Sequence, residues 1–333
     1  MIIKHKKSVL LSGIQPTGPL HVGNYLGALK HFEKIQNDFD CYFMVADLHS
    51  LTENYNPEEK TKQIVNLVAT FVAAGLDPKK NTLFLQSFVP EHTELAWIFN
   101  TITPISELER MTQYKDKAAR QIQNINTGLF TYPILQAADI LLYKAEVVPI
   151  GEDQTQHLEL TRTVARKFNK RFGETFVPPN PLYASVPKLM SLLDPTRKMS
   201  KSEPTGCLFL EDPPEIVARK IGRAVTDTGP TDKKQMSPGI KNLFLLLESF
   251  GSEDTYNQFT KAYQFGKLNY KDLKDELAKS ISHKLAPIQK QYKELIKQPT
   301  KLIKILEDGS NKASKKAKIT LSEIKQKIGL PKQ

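Results

Sequence analysis

Four short apolar runs rich in β-formers, Val9–Leu11, Cys41–Val45, Thr82–Leu85 and Val147–Ile150, are separated by longer stretches with a helical period. Strands that alternate with helices are joined by crossovers, and crossovers build a parallel sheet covered on both faces. The chain is therefore read as α/β, with a doubly wound parallel sheet. Asn56 as N-cap, Pro57 at the first helical position and Glu58 and Glu59 in the first turn begin the clearest helix. Its stripe of Ile64, Leu67, Val68, Phe71 and Val72 holds one-face spacing until Gly75 closes it. A second helix is expected from Asp153 to Phe172, with Leu158, Thr161, Val164, Ala165 and Phe168 turned inward.

Beyond Pro204 the Val and Ile runs give way to helical patterns punctuated by Pro213-Pro214, Pro230, Pro238-Gly239, Gly251 and Gly266. A chain of 333 residues, 40% hydrophobic, favours two domains. They are drawn at residues 1–205, an α/β unit with a helical insertion, and 206–333, a helical unit. The net charge is +11, and residues 251–333 carry eighteen lysines, no arginine and nine carboxylates. Such a face attracts a phosphate backbone, or it is a solvated surface shaped by composition. Residues 312–333 are read as a docked or a frayed terminal helix. Cys41 and Cys207 lie in apolar surroundings without metal-ligand spacing, which makes them buried thiols and fits a reducing cytoplasm. No apolar run reaches membrane-spanning length, and the short basic start, Lys4 to Lys7, precedes too brief an apolar run for a signal peptide.

Two segments carry chemistry. After the first strand comes the small-residue turn Ser12-Gly13-Ile14-Gln15-Pro16-Thr17-Gly18, followed by His21-Val22-Gly23-Asn24 and an amphipathic stretch from Tyr25. A helix start presents unpaired N–H groups and a positive dipole end, both suited to polyphosphate. The second, Lys198-Met199-Ser200-Lys201-Ser202, places two ammonium groups among small residues after the apolar stretch Leu182 to Leu193.

Together, in this order, the two segments resemble the paired signatures of class I aminoacyl-tRNA synthetases, where the first usually ends in Gly-His and not Gly-Asn. Ser12 to Leu29, Glu107 to Gln113, Ala137 to Tyr143, Gly151 to Gln154, Met190 to Ser202 and Ala224 to Asp227 extend the resemblance to bacterial and organellar tryptophanyl-tRNA synthetases. Beyond about residue 250 the match is looser. The resemblance implies a Rossmann-like catalytic domain with a C-terminal helical, anticodon-binding domain. It also implies ATP and L-tryptophan as substrates with Mg2+ held mainly by phosphates, tRNA(Trp) as partner, a homodimer and no membrane.

Carried over residue by residue, Gln15, Pro16 and Thr17 lie along the nucleotide, Gly18 and Gly23 let the backbone come close, and His21 and Asn24 donate to phosphate. Lys198 and Lys201 bind the leaving pyrophosphate, with Met199, Ser200 and Ser202 in the same ATP loop. Lys117, with Lys115, is a phosphate ligand or a solvated helix lysine. Gly151, Glu152 and Asp153 meet the ribose, although Asp153 also reads as an N-cap. Leu189, in the strand before the lysine loop, offers backbone to adenine. Asp139 would accept the indole N–H, with Tyr132 and Gln136 on the same helical face and Gln154 nearby. Methionine is commoner at the position of Gln136, and the trio of Tyr132, Gln136 and Asp139 also resembles tyrosyl-tRNA synthetase. Gly151 to Gln154 with His157 and Arg162, and Ala224 to Asp227, favour tryptophan. Two other readings are a smaller-substrate nucleotidyltransferase, which would not need the basic helical region, and a silent RNA-binding protein, against which His21, Asn24, Lys198 and Lys201 stand intact.

Overall fold

The computed structural model describes residues 7–112, 125–183, 188–226 and 236–331. Strands β1 (Val9–Ile14), β2 (Asp40–Val45), β3 (Thr82–Leu85), β4 (Val147–Ile150) and β5 (Asn180–Tyr183) form one parallel sheet in the order β3-β2-β1-β4-β5. Each of the four apolar runs is a strand. Period-two alternation sorts their side chains: Leu10, Cys41, Phe43 and Val45 enter one core, whereas Val9, Leu11, Tyr42 and Met44 enter the other.

The order reverses between β1 and β4. Loops leaving the carboxyl ends of these two neighbours diverge and open a crevice, the usual ligand position of such sheets. The fifth strand takes in only the start, Leu182 and Tyr183, of the apolar stretch Leu182 to Leu193, and it begins earlier, at Asn180 and Pro181, which are poor strand formers; it lies at an edge, where proline is tolerated. The expected strand around Leu189 is absent. There Asp194 closes a turn on Thr196, and the chain folds back so that Met190 bridges Lys198 in antiparallel fashion. Leu189 thus sits on a hairpin arm outside the sheet.

The helices in chain order are α1 (Val22–Asn24), α2 (Lys30–Ile35), α3 (Pro57–Ala73), α4 (Glu91–Asn100), α5 (Ile105–Glu109), α6 (Thr127–Leu142), α7 (Thr155–Phe172), α8 (Pro214–Gly222), α9 (Pro238–Phe250), α10 (Glu253–Gln264), α11 (Tyr270–Leu295) and α12 (Pro299–Lys327). A π-helical turn, Tyr25–Leu29, joins α1 to α2. Asn56 caps α3 by accepting from the Glu58 N–H, and Gly75, at φ +100°, ends it as the glycine signal required. In α7 all five expected inward residues are buried.

The last helix, α12, returns to the sheet and lies on β3. A Cβ at Gly309 would collide with the Leu83 carbonyl oxygen, and Ser310 Oγ accepts from the Leu85 N–H at 3.2 Å. Ala313, Ala317, Leu321 and Ile324 complete the second core, so residues 312–327 are docked. Glycine inside a helix costs about 1 kcal/mol relative to alanine; here it permits backbone to touch backbone.

No helix among the described residues is long and apolar enough to cross a membrane. Cys41 and Cys207 are buried and free, and burial pushes each thiol up to about 12.

Candidate active site

The turn after β1 is built from its own backbone. Gln15 carbonyl accepts from the Thr17 N–H at 3.0 Å, Pro16 is buried beneath, and Gly18 turns the chain at φ +104°, a region that disfavours side chains. His21 then caps α1. Its Nδ1 accepts from the Asn24 N–H at 3.3 Å, and Asn24 Oδ1 accepts from the His21 N–H at 3.1 Å. This reciprocal capping box has two chemical results. The proton of the neutral ring sits on Nε2, and the Asn24 amide keeps Nδ2 as a donor. Burial first, then Lys201 and Lys198, lower the His21 pKa from 6.5 to about 4, so the ring is an uncharged donor at neutral pH. Gly23 makes room for that ring, since a Cβ there would lie 2.8 Å from its Cε1 and Nδ1.

Backbone ties bring the distant lysine loop to this turn. Val22 N–H donates to Leu208 carbonyl and Leu210 N–H to Leu20 carbonyl, both at 2.9 Å, around an antiparallel bridge between His21 and Phe209. Lys201 Nζ reaches the Gly18 carbonyl at 3.2 Å and Thr17 Oγ1 at 3.5 Å. Burial lowers the Lys201 pKa, with Cys207 and Glu53 opposing it. Met199 is buried as the anchor between two cations, while Ser200 and Ser202 hydroxyls pair at 2.9 Å.

Between these segments and the β4 loop lies an open cleft of about 1840 Å3. That exceeds a single small-molecule pocket of about 300–1,000 Å3. Thr17, His21, Gly23, Asn24, Gly151, Glu152, Asp153, Leu189 and the whole Lys198–Ser202 segment line it. The structure brings all of these together. Gln15 and Pro16 instead shape the turn behind Thr17. Asp153 is not the cap of α7, whose N-cap is Gln154 without a side-chain bond; it lies in the turn Glu152–Gln154 and lines the cleft. Gln154 Nε2 is 3.5 Å from Asp153 Oδ2. Lys115, Lys117 and Asp227 lie outside the described residues. Glu53, Tyr183 and Lys241 also line the cleft and were not foreseen, because they sit on a loop, at a strand end and in the first turn of a helix with no motif around them.

Asp139 lies elsewhere, 1% exposed in a polar cluster inside the second core. Its Oδ1 accepts from Gln86 Nε2 at 2.8 Å and pairs with His92 Nδ1 at 2.6 Å, and its Oδ2 pairs with His49 Nε2 at 2.6 Å. His92 Nε2 in turn meets Tyr143 hydroxyl at 2.8 Å. Burial alone would raise the Asp139 pKa; His49 and His92 outweigh it by charge and hydrogen bonding and hold it at about 2. Tyr132 packs edge-on against His49 and hydrogen-bonds His157 Nε2 at 2.7 Å, with burial pushing its hydroxyl up to about 12. Gln136 is half-buried on the same helix. Arg162 donates to the Pro179 carbonyl at 2.8 Å, bracing β5. Sequence reasoning missed His49, His92 and Gln86. The one local signal was a polar residue just past the carboxyl end of a strand, which His49 and Gln86 share.

The sequence model of class I tRNA synthetases (W and Y) matches residues 4–286. The chain belongs to this family. Among similar proteins, the tryptophan–tRNA ligase of Caldanaerobacter subterraneus subsp. tengcongensis is 46% identical, over 96% of this chain and 98% of that protein. That of Bacillus anthracis is 45% identical, over 98% and 99%. The solved tryptophanyl-tRNA synthetase of Campylobacter jejuni, in complex with ADP and tryptophan, is 33% identical with a TM-score of 0.85, covering 97% of this chain and 100% of that one. A tyrosyl-tRNA synthetase from Archaeoglobus fulgidus, 22% identical with a TM-score of 0.68, shares the fold over 87% of this chain and 91% of its own.

Proposed function

We propose that this chain is a tryptophan–tRNA ligase, which joins L-tryptophan to ATP as tryptophanyl-adenylate and passes it to the 3′-terminal ribose of tRNA(Trp). The observation that carries this reading is the convergence of the His21 turn and the Lys198–Ser202 loop on one cleft. Full-length relatives at 42–46% identity that are tryptophan–tRNA ligases supply the choice of amino acid.

The tryptophan carboxylate attacks the α-phosphorus, a P–O bond forms, and the bond to the leaving pyrophosphate breaks. A carboxylate is ionised at neutral pH, so no general base is required. The work is alignment and stabilisation of charge growing on phosphate oxygens. His21 Nε2–H and Asn24 Nδ2 donate there as uncharged groups. Lys198 and Lys201, with Lys117 as a further ligand, receive the pyrophosphate. Gly151, Glu152, Asp153 and Leu189 hold the nucleoside. Mg2+ would be held mainly by the phosphates of the nucleotide and would neutralise their charge; the carboxylates in the cleft wall, Glu53, Glu152, Asp153 and Glu203, come from three separate segments and would supply the smaller share of its ligands. Asp139 takes the indole N–H at the acceptor capacity left beside its three present partners. Tyr132, Gln136 and Gln154 complete that pocket.

A homodimer that shares tRNA across its subunits, in the cytoplasm, is part of the proposal. The dimer is supported by the exposed apolar residues Leu51 and Trp97, which line a second, smaller groove, and by exposed Phe88 and Ile105.

Pyrophosphate exchange measured with each of the twenty amino acids tests the reading, followed by charging of tRNA(Trp). Tryptophan is expected to support exchange and the others not. Exchange driven by tyrosine, or none at all, would overturn it.

A further inference from the structure

We propose that Asn242 is a positioning residue for the lysine hairpin, acting from the helical region on the groups that hold pyrophosphate. The proposal rests on the reading of the cleft as the site of adenylate formation. Asn242 is buried, 5% exposed, among Ile240, Leu243, Phe244 and Leu246 of α9. A carboxamide among apolar residues is costly unless both its ends are paired. Both are paired here. Asn242 Oδ1 accepts from the Met190 N–H and its Nδ2 donates to the Met190 carbonyl, each at 2.9 Å.

Met190 is the residue that bridges Lys198 across the hairpin. On either side of the bridge, Ser191 N–H donates to Arg197 carbonyl at 2.8 Å and Met199 N–H to Leu189 carbonyl at 3.0 Å. In this register the N–H and C=O of Met190 point away from Lys198, toward an open edge. The amide of Asn242 occupies that edge as a single peptide group of a third strand would. Two residues along, the Leu192 carbonyl accepts from the Val225 N–H at 2.8 Å. Val225 and Thr226 are clasped by α9 as well, since Ser237 Oγ donates to the Thr226 carbonyl at 2.8 Å and a Cβ at Gly239 would collide with both their carbonyl oxygens. The same helix brings Lys241 and Leu245 into the cleft wall. Helix α9 and the hairpin are thereby one mechanical piece, and Asn242 sets the register of Lys198 within it.

Only a carboxamide fits this role. Aspartate would set an acceptor against the Met190 carbonyl, and leucine of similar size would leave both Met190 groups unpaired.

The test measures tryptophan-dependent pyrophosphate exchange in Asn242→Leu, Asn242→Asp and Asn242→Ser, with direct tryptophan binding in the absence of ATP as the control for folding. The expected result is a fall in kcat/KM for ATP of about 10- to 100-fold, the scale of a misplaced catalytic group. Tryptophan affinity should stay within about twofold. Combining Asn242→Leu with Lys198→Ala should add little to the loss from Lys198→Ala alone, because residues that act through one another are not additive. Unchanged ATP dependence in any variant that still binds tryptophan overturns the proposal. So does a double variant whose losses multiply, or a parallel loss of tryptophan affinity. A parent that exchanges with no amino acid would overturn the proposed function and the positioning role together; an active parent with unaffected variants overturns the positioning role alone.

Discussion

Lys198 and Lys201 reach the open cleft from a loop tied down by backbone hydrogen bonds, whereas Asp139 meets its partners in a cluster where it is 1% exposed. In the cleft, lysines and carboxylates line one open space, and the lysines keep spare donors. In the cluster, a carboxylate is matched donor by donor before any substrate arrives. Phosphoryl chemistry needs cations that follow a leaving group; selection of an indole needs an acceptor that does not move. One region is consequently tolerant in stability and sensitive in rate, and the other is sensitive in both.

The largest expected effect breaks the comparison if it fails. Lys201→Ala should slow adenylate formation by about 100- to 1,000-fold, the scale of removing one charge-stabilising donor, while tryptophan affinity and unfolding free energy stay nearly unchanged, the latter within about 0.5 kcal/mol. Rapid-quench kinetics and urea unfolding measure the two; a large stability loss would show that the lysine is structural.

Asp139→Ala is the counterpart. Removing the partner of buried charged or polar donors should cost about 3 kcal/mol of stability, and discrimination against tyrosine and phenylalanine should fall by about 100-fold or more. Retained discrimination in a folded variant would take Asp139 out of the specificity pocket. Both measurements come from the same preparation, by chemical denaturation and by exchange with the three aromatic amino acids.

The smallest effect sharpens the electrostatic side. Proton NMR of His21 should give a midpoint near 4 in place of 6.5, and Lys201→Ala should raise it while leaving it below 6.5, because burial is the larger cause. The unfolded chain protonates first. The histidine's contribution to stability is therefore whole above about pH 6.5 and is lost as the pH falls toward about 4. A midpoint that Lys201→Ala leaves unmoved would separate the ring from the loop.

What was legible in the sequence follows the range of the interactions. Asn56, Gly75, Gly18 and the strands obey local rules, because caps, turns and period-two patterning act within a few residues. The cleft was legible because two motifs carry their own donors. Asp139 could be named, but His49, Gln86 and His92 come to it from the segments after β2 and β3 and from α4, and no spacing encodes that meeting. Leu189 was misplaced since a run of apolar residues does not distinguish a sheet strand from a hairpin arm; the turn at Asp194 decides. The docking of α12 was hidden under lysines. Its signal was a row of small residues, Gly309, Ser310, Ala313 and Ala317, on a helix whose other faces read as solvent.

That row has a consequence during synthesis. Strand β3 is the outermost strand on its side of the sheet, and Leu83 and Leu85 receive their cover from α12. The ribosome makes β3 long before it makes α12, so a nascent chain carries a bare, apolar sheet border until the lysine-bearing helix closes over it. Such borders recruit other chains by strand addition. The many positive charges that accompany α12 sit on the piece that ends this vulnerable period, and a translation stall before Pro299 should yield aggregates and not a shortened enzyme.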